Sequence, residues 1–328
     1  MTNPSLSRRH VLTALAAAGA SLSGSLAWAQ AAAWPKVITI VVPFPPGGSN
    51  DIFARVLAQK LGPKLGVTVI VDNKPGASGS IGAGFVSRAQ PDGATLLLTS
   101  SSFPASAAIN PNLPFDPLKG LTPISQLAKG PMIVAVDAES PYKNLAELIA
   151  AAGKEKGKIN FGTAGVGSIN QMANEMLAHM AKVEMTHIPY RGITAAITDL
   201  ISGRIQMTIA SFPSIAGQIK AGRVKGLAVT SPEPSPFAPD LQPVATTVPG
   251  YSVELWWGIY GPGGMPPALV DALNKEIAAI ITEKDMSDRF AQEGAQPSPI
   301  SAAEFAKVTA DDLAMWRGIA KERNIRAE

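Results

Sequence analysis

Two glycine-bearing corners of this chain have the composition of an anion site. The first is PFPPGGSND, Pro43 to Asp51, set between a β-branched run and a helical pattern. Gly47 and Gly48 lack Cβ atoms, so their backbone can approach a ligand closely. Ser49, Asn50 and Asp51 are all favourable helix N-caps. A helix that opens there presents unpaired N–H groups and the positive end of its dipole, which together hold an anion. The plain alternative is that these residues only cap the helix. Asp51 repels an anion if it faces the ligand, so it either caps the helix or receives a ligand ammonium.

The second corner is FGTAGVGS, in which Gly162, Gly165 and Gly167 surround Thr163, Ala164 and Ser168. Its G-x-x-G-x-G spacing is neither a dinucleotide fingerprint nor a P-loop. A helix from Ser168 again aims backbone donors out of a strand end. Each corner alone reads as a turn, but two of them facing across a cleft grip both ends of a small anion. HIPYRG adds Tyr190, Arg191 and Gly192, where Arg191 is a carboxylate partner or a solvated surface arginine. TSSSF, Thr99 to Phe103, offers the hydroxyls of Ser100 and Ser101 at another strand end.

The remaining polar features read as structural. His187 lies within a strand and His179 on an apolar helix face, too isolated to form a metal site. Trp256 and Trp257 either line the cleft or pack between lobes, and packing is the reading adopted. KPGASGSIGAG is glycine-rich, but it reads as a helix packing tightly on a sheet rather than as a phosphate loop. There is no cysteine, no G-x-S-x-G and no H-E-x-x-H. No cofactor is expected and no enzyme is indicated. A secreted hydrolase using Ser168 or Ser49 stays a distant rival, because triads assemble from separated positions.

Short β-branched runs and helical stretches must position these corners. KVITIVV, VTVIVD and ATLLLTS alternate with NDIFARVLAQKLGPKLG and SGSIGAGFVSRA. After a Pro/Asn-rich passage the alternation restarts with PMIVAVD, KINFGTA, EMTHIPY, RIQMTIA and VKGLAVT. Such alternation predicts parallel α/β layers. SPEPSPFAPDLQPVATTVPG then separates a tail of one strand and several helices. That tail is too poor in strands for a domain of its own, so it is expected to pack back on the first block. Two α/β lobes result, with the chain crossing between them near 130 and near 250. The expected divisions are 30–131 plus 252–328 for one lobe and 132–251 for the other, with ligand taken at strand ends in a closing cleft.

Residues 1–29 read as an export signal: Arg8 and Arg9, a short apolar run, and AWA before a cleavage point near Ala29. SRRHVL also suits a twin-arginine signal, with Sec export as the alternative. Removing the two arginines leaves 26 − 25 = +1, which argues against nucleic acid. Later stretches lack the roughly 18 unbroken apolar residues of a membrane span. An exported, periplasmic, monomeric protein is expected.

Several segments together carry a family resemblance. They are WPKVITIVVPFPPGGSNDIFARVLAQKL, VIVDNKPGASGSIGAGFVSRAQPDGATLL, INPNLPFDP, INFGTAGVGSINQMANEML, HIPYRG and GRVKGLAVTSP, in this order. The chain resembles the substrate-binding proteins of tripartite tricarboxylate transporters, the Bug/TctC-type family, over its whole mature length. The resemblance implies a two-lobed periplasmic-binding-protein fold, type II-like, with a ligand cleft between lobes and two hinge crossings. It implies a small carboxylate ligand passed to membrane permease subunits, with a sensor-kinase partner as the alternative receiver. It also implies that Phe44 to Asp51 (Pro46, Gly47, Gly48 and Ser49 included) and Thr163 to Ser168 hold a carboxylate, while Tyr190 to Gly192 border the cleft. Two departures stand out: Gln171 where the family often has His, and FAPDLQPVAT for its usual LPDVPT.

Overall fold

A computed structural model describes residues 34–327, so the expected export signal lies outside the described residues. The first lobe begins β1 (Val37–Val42), α1 (Ser49–Leu65), β2 (Thr68–Asn73), a 3-10 turn at Ala77–Gly79, α2 (Ser80–Ser87) and β3 (Thr95–Ser100). In α1, Phe53, Ala54, Leu57, Ala58 and Leu61 fall on one face and are buried against the sheet. Gly66 ends the helix in the left-handed conformation, φ 68°.

α3 (Ser102–Ile109) and the 17-residue β4 (Leu121–Asp137) follow. The sequence predicts an irregular passage here and a short strand at PMIVAVD. A helix forms because Pro104 stands in its first turn, where a missing N–H costs nothing. β4 runs through Pro123 because the register slips there, between Pro123 and Ser125, and slips again between Gln126 and Ala128.

The chain continues through α4 (Leu145–Lys154), β5 (Asn160–Thr163), α5 (Ile169–Met180), β6 (Thr186–Pro189), α6 (Ile193–Ile201), β7 (Met207–Ser211), α7 (Phe212–Lys220) and β8 (Val224–Val229). It returns with β9 (Glu254–Pro262), α8 (Pro267–Ile281), α9 (Lys284–Gln292), β10 (Gln296–Pro297) and α10 (Ala302–Glu322).

The sheet order is β2-β1-β3-β9-β4-β7-β5-β6, with β8 and β10 also on β4. The outer pairs are parallel, as the alternation predicts. The pairs around β4 and β9 are antiparallel, because one strand leaves the first lobe and the other comes back. Leu121 to Pro131 pair with β9, whereas Met132 to Asp137 lie between β7 and β8. Met132 and Thr230 exchange backbone N–H to Thr230 Oγ1 (2.8 Å) and Thr230 N–H to Met132 carbonyl (2.9 Å) bonds. Val253 N–H then donates to the Thr230 carbonyl at 2.9 Å, so three passing segments are stapled at one level.

α10 forms a further link. Ser301 and Glu304 close a capping box at its start, and Phe305 packs on Trp256 and Tyr260. Its far end reaches α5, where Arg323 Nε donates to Glu175 Oε2 at 2.8 Å. Trp257 packs edge-on against Phe53 at 4.9 Å and is buried, a contact between two segments assigned to the same lobe rather than between lobes.

Gly130 sits where β4 changes partners, and a Cβ there would lie 2.3 Å from the Gly294 carbonyl oxygen. Backbone cannot yield as a flexible side chain does. Gly130→Ala is therefore expected to cost about 1–3 kcal/mol, read as a lowered urea midpoint. An unchanged midpoint would show that β4 and the Gly294 turn separate freely.

Candidate functional site

The first corner is built around Asp51. It is the third residue of α1, is 4 % exposed, and uses both carboxylate oxygens. Oδ2 accepts from the Gly47 N–H at 3.0 Å and from Arg55 Nε at 3.0 Å. Oδ1 accepts from Asn73 Nδ2 at 3.0 Å and faces Arg55 Nη2 at 2.9 Å. The same Asn73 amide donates to the Phe44 carbonyl at 3.2 Å, so the proline corner is tied to the end of β2. The Arg55 guanidinium, helped by the Gly47 N–H and Asn73, holds the Asp51 carboxyl below the usual range against the opposing pull of burial. Asp51 thus locks the corner, with both carboxylate oxygens engaged within the chain.

Gly47 stands at φ 89°, which glycine alone adopts without strain. Gly48 is the N-cap, without a side-chain cap, and the first helical bond runs from Ile52 N–H to its carbonyl at 3.0 Å. The N–H groups of Ser49, Asn50 and Asp51 therefore precede the helical ladder. Pro46, Gly47 and Gly48 are exposed, Phe44 and Ser49 half-buried.

The second corner repeats this construction. Gln171 is the third residue of α5, and its Oε1 accepts from the Gly167 N–H at 2.8 Å. Gly167 stands at φ 78°, just before the N-cap Ser168. In both corners a side chain at the third helical position thus reaches back four residues to a left-handed glycine. The Ser168 hydroxyl donates to the Gly165 carbonyl at 2.7 Å and accepts from Gln171 N–H at 3.3 Å, so it acts as a cap.

With Oε1 committed to Gly167, Gln171 Nε2 donates to His187 Nδ1 at 3.2 Å. The imidazole then carries its proton on Nε2, toward Thr163 Oγ1 at 2.7 Å. Thr163 Oγ1 also accepts the Gly165 N–H at 3.2 Å. His187 stacks on Phe161, and burial pushes its pKa down to about 4. Reading His187 as a lone structural residue of β6 missed this network, because its partners come from β5 and α5.

Helix α3 brings the lobes together. A Cβ on Gly167 would lie 2.7 Å from Ile109 Cδ1 and 3.7 Å from Ser106 Cα. A Cβ on Gly79 would lie 3.5 Å from the Phe44 ring. Between these contacts lies a cavity of about 260 Å³, lined by Ala77, Ser80, Ser106, Ile109, Asn110, Val166 and Ala327. Its lining includes Val166 of the second corner but none of the site residues singled out from sequence. The KPGAS stretch thus takes part in a cavity, where the sequence suggested packing alone.

Ser100 ends β3 opposite Trp257, and Ser101 N–H donates to the Trp256 carbonyl at 3.0 Å. Ser101 is 1 % exposed and its hydroxyl has no partner among the described residues. Asn50 Oδ1, in the first turn of α1, is likewise buried without one. Such orphans call for an explanation. At the third strand end, Tyr190 N–H bonds the Thr163 carbonyl at 3.2 Å, but its hydroxyl is committed to Asp199 at 2.9 Å. Gly192, φ 110°, opens α6, and Arg191 is exposed. Ala164 and Gly165 are half-buried between the Thr163 and Gly167 bonds.

Folding holds His187 neutral, so stability is full above its unfolded pKa near 6.5 and falls as pH drops toward 4. Protonation also puts a donor on Nδ1 against Gln171 Nε2. His187→Gln is expected to flatten that stretch of the urea-stability curve by about 1–2 kcal/mol, allowing for partial solvent screening. Parallel curves for the two proteins would refute the network.

Residues 53–325 match the model of the tripartite tricarboxylate transporter family receptor. A protein encoded in the tcbD–tcbE intergenic region of Pseudomonas sp. strain P51 is 33 % identical over 324 residues, covering 98 % of this chain and 96 % of its own. Protein BugT of Bordetella pertussis is 31 % identical, covering 88 % and 89 %. Among solved structures, Rpa4515 of R. palustris with adipate superposes with TM-score 0.79 at 30 % identity, covering 89 % of this chain and 99 % of that one. The periplasmic binding protein BugD gives 0.76 at 31 %, covering 90 % and 100 %. MatC of Rhodopseudomonas palustris with bound malate gives 0.76 at 27 %, covering 87 % and 99 %. This chain belongs to the tripartite tricarboxylate transporter receptor family, whose members are solute-binding proteins.

Proposed function

We propose that this protein captures a small organic carboxylate in the periplasm, as a monomer, and delivers it to the permease subunits of a tripartite transporter. The observation that carries this reading is the matched pair of locked helix N-termini, at Gly47–Asp51 and Gly167–Gln171. One follows β1 and the other β5, so they stand on opposite sides of the β4–β9 pair in the sheet order. A carboxylate between them takes charge-assisted bonds from backbone N–H groups whose orientation is already fixed.

The lobes of this reading are 30–131 with 252–328, and 132–251, and a ligand that touches both favours the closed form. Phe44, Pro46, Gly47, Gly48 and Ser49 form one wall, with Asp51 behind them. Thr163, Ala164, Gly165, Gly167 and Ser168 form the other. Ser100 and Ser101 supply hydroxyls from β3 and α3, and Tyr190, Arg191 and Gly192 border the opening. The dicarboxylates in two solved relatives, adipate and malate, support the ligand class.

A thermal-shift screen of mono- and dicarboxylates against neutral sugars tests the ligand class. A ligand at 100 times its Kd adds about 2.7 kcal/mol, enough for a clear rise in Tm. Gly48 has an ordinary φ of −81°, and a Cβ added there would meet nothing within 4 Å, so Gly48→Glu preserves the fold. The variant is expected to keep its basal Tm and lose the carboxylate shift. Sugars that raise Tm where carboxylates do not, or a Gly48→Glu protein that keeps the shift, would overturn the assignment.

A further inference from the structure

A second cavity, of about 350 Å³, lies on the hinge strands themselves. Its walls come from β4, from the start of β9 and from α10, the helix that links the two lobes. None of the residues placed in the carboxylate cleft lines it.

Its polar groups are unevenly matched. Lys129 Nζ pairs with Glu254 Oε2 at 3.0 Å, which neutralises both. Asp312 is also in the lining and has no cationic partner among the described residues. Its Oδ2 accepts the Trp256 indole N–H at 2.8 Å. Burial pushes its carboxyl up to about 6, with Asp311 and Glu254 adding to the rise and the Trp256 bond opposing it. Trp316 lines the same cavity, is 1 % exposed, and its indole N–H has no acceptor among the described residues. A half-buried carboxylate without a cation and a buried donor without an acceptor are both costly. They ask for opposite things of one occupant.

Local backbone geometry supports a built site. The register slip between Gln126 and Ala128 falls at this wall, and Gln126 Nε2 is held by Ser298 Oγ at 2.7 Å. Such bulges re-aim side chains and gather beside sites. Trp256 and Trp316 both line the cavity, and Val308 and Met315 add aliphatic groups to its wall.

We infer that this cavity binds a small organic amine carrying a hydrogen-bond acceptor, of the amino-alcohol type. The ammonium donates to Asp312, the hydroxyl oxygen accepts from the Trp316 indole, and the short carbon chain lies along α10. This site is separate from the carboxylate cleft and stands whether or not the cleft reading holds.

Trp256 and Trp316 make intrinsic fluorescence the readout, with calorimetry alongside. The probes are 4-amino-1-butanol, the uncharged 1,4-butanediol and n-butylamine, which lacks the acceptor. 4-Amino-1-butanol is expected to bind saturably at one equivalent, with the other two weaker. Asp312→Asn, which still accepts from Trp256, is expected to weaken it roughly tenfold or more. Trp316→Phe, which removes the indole N–H along with part of the ring volume, is expected to erase the preference for the amino alcohol over n-butylamine. Gly48→Glu should leave amine binding intact, so failure of the cleft reading and failure of this one are told apart. No saturable binding, equal binding of the diol, or unaltered affinity in Asp312→Asn would overturn the proposal. So would loss of amine binding in Gly48→Glu.

Discussion

The antiparallel pairing of β4 with β9 is the constraint on which the rest of the molecule hangs. β4 is one continuous strand through two sets of partners, and the change falls between Pro131 and Met132. Proline there has no N–H to give a ladder, which suits a residue at a change of partners. Immediately beyond it, Met132 and Thr230 pair through two bonds and Val253 adds a third. On the proposed closing-cleft reading, rotation of one lobe against the other is absorbed by a few residues at this level, and small rotations there open or shut the space between the glycine corners.

The corners themselves show how backbone donors are kept aimed without a ligand. A left-handed glycine frees the turn but leaves it floppy. In each corner a side-chain oxygen at the third helical position captures that glycine's N–H: a carboxylate from Asp51, an amide from Gln171. The chemistry behind each oxygen differs. Asp51 brings a charge, answered by Arg55 and Asn73, while Gln171 brings none and passes its amide on to His187. One corner is thus an ionic lock and the other a neutral relay.

Much of this was legible in the sequence because it is local. The strand–helix alternation, the glycine corners and their caps are visible within windows of about ten residues. What escaped is long-range or conditional. Asp51 was ambiguous because its second partner, Asn73, lies on the next strand. His187 looked isolated because Thr163 and Gln171 reach it from neighbouring elements. α3 was hidden by Pro104, and the first part of β4 by Pro123, since a proline reads as a breaker unless a first turn or a bulge excuses it. The orphan hydroxyl of Ser101 follows from the path of α3 and is invisible without it.

On the proposed reading, specificity must come from somewhere other than the two corners. Backbone N–H groups recognise a carboxylate but carry no information about what is attached to it. Side-chain charge does little here either: Asp51 is fully engaged, and Arg191 is exposed. The groups left to read the rest of a ligand are the hydroxyls of Ser100 and Ser101 and the lining of the cavity beside α3, where Ser80, Ser106 and Asn110 stand among Ala77, Ile109 and Val166. Small residues and short polar side chains there set length and shape more than charge. Adipate and malate, named with two solved relatives, are both dicarboxylates that differ in chain length, the property such a lining would sort.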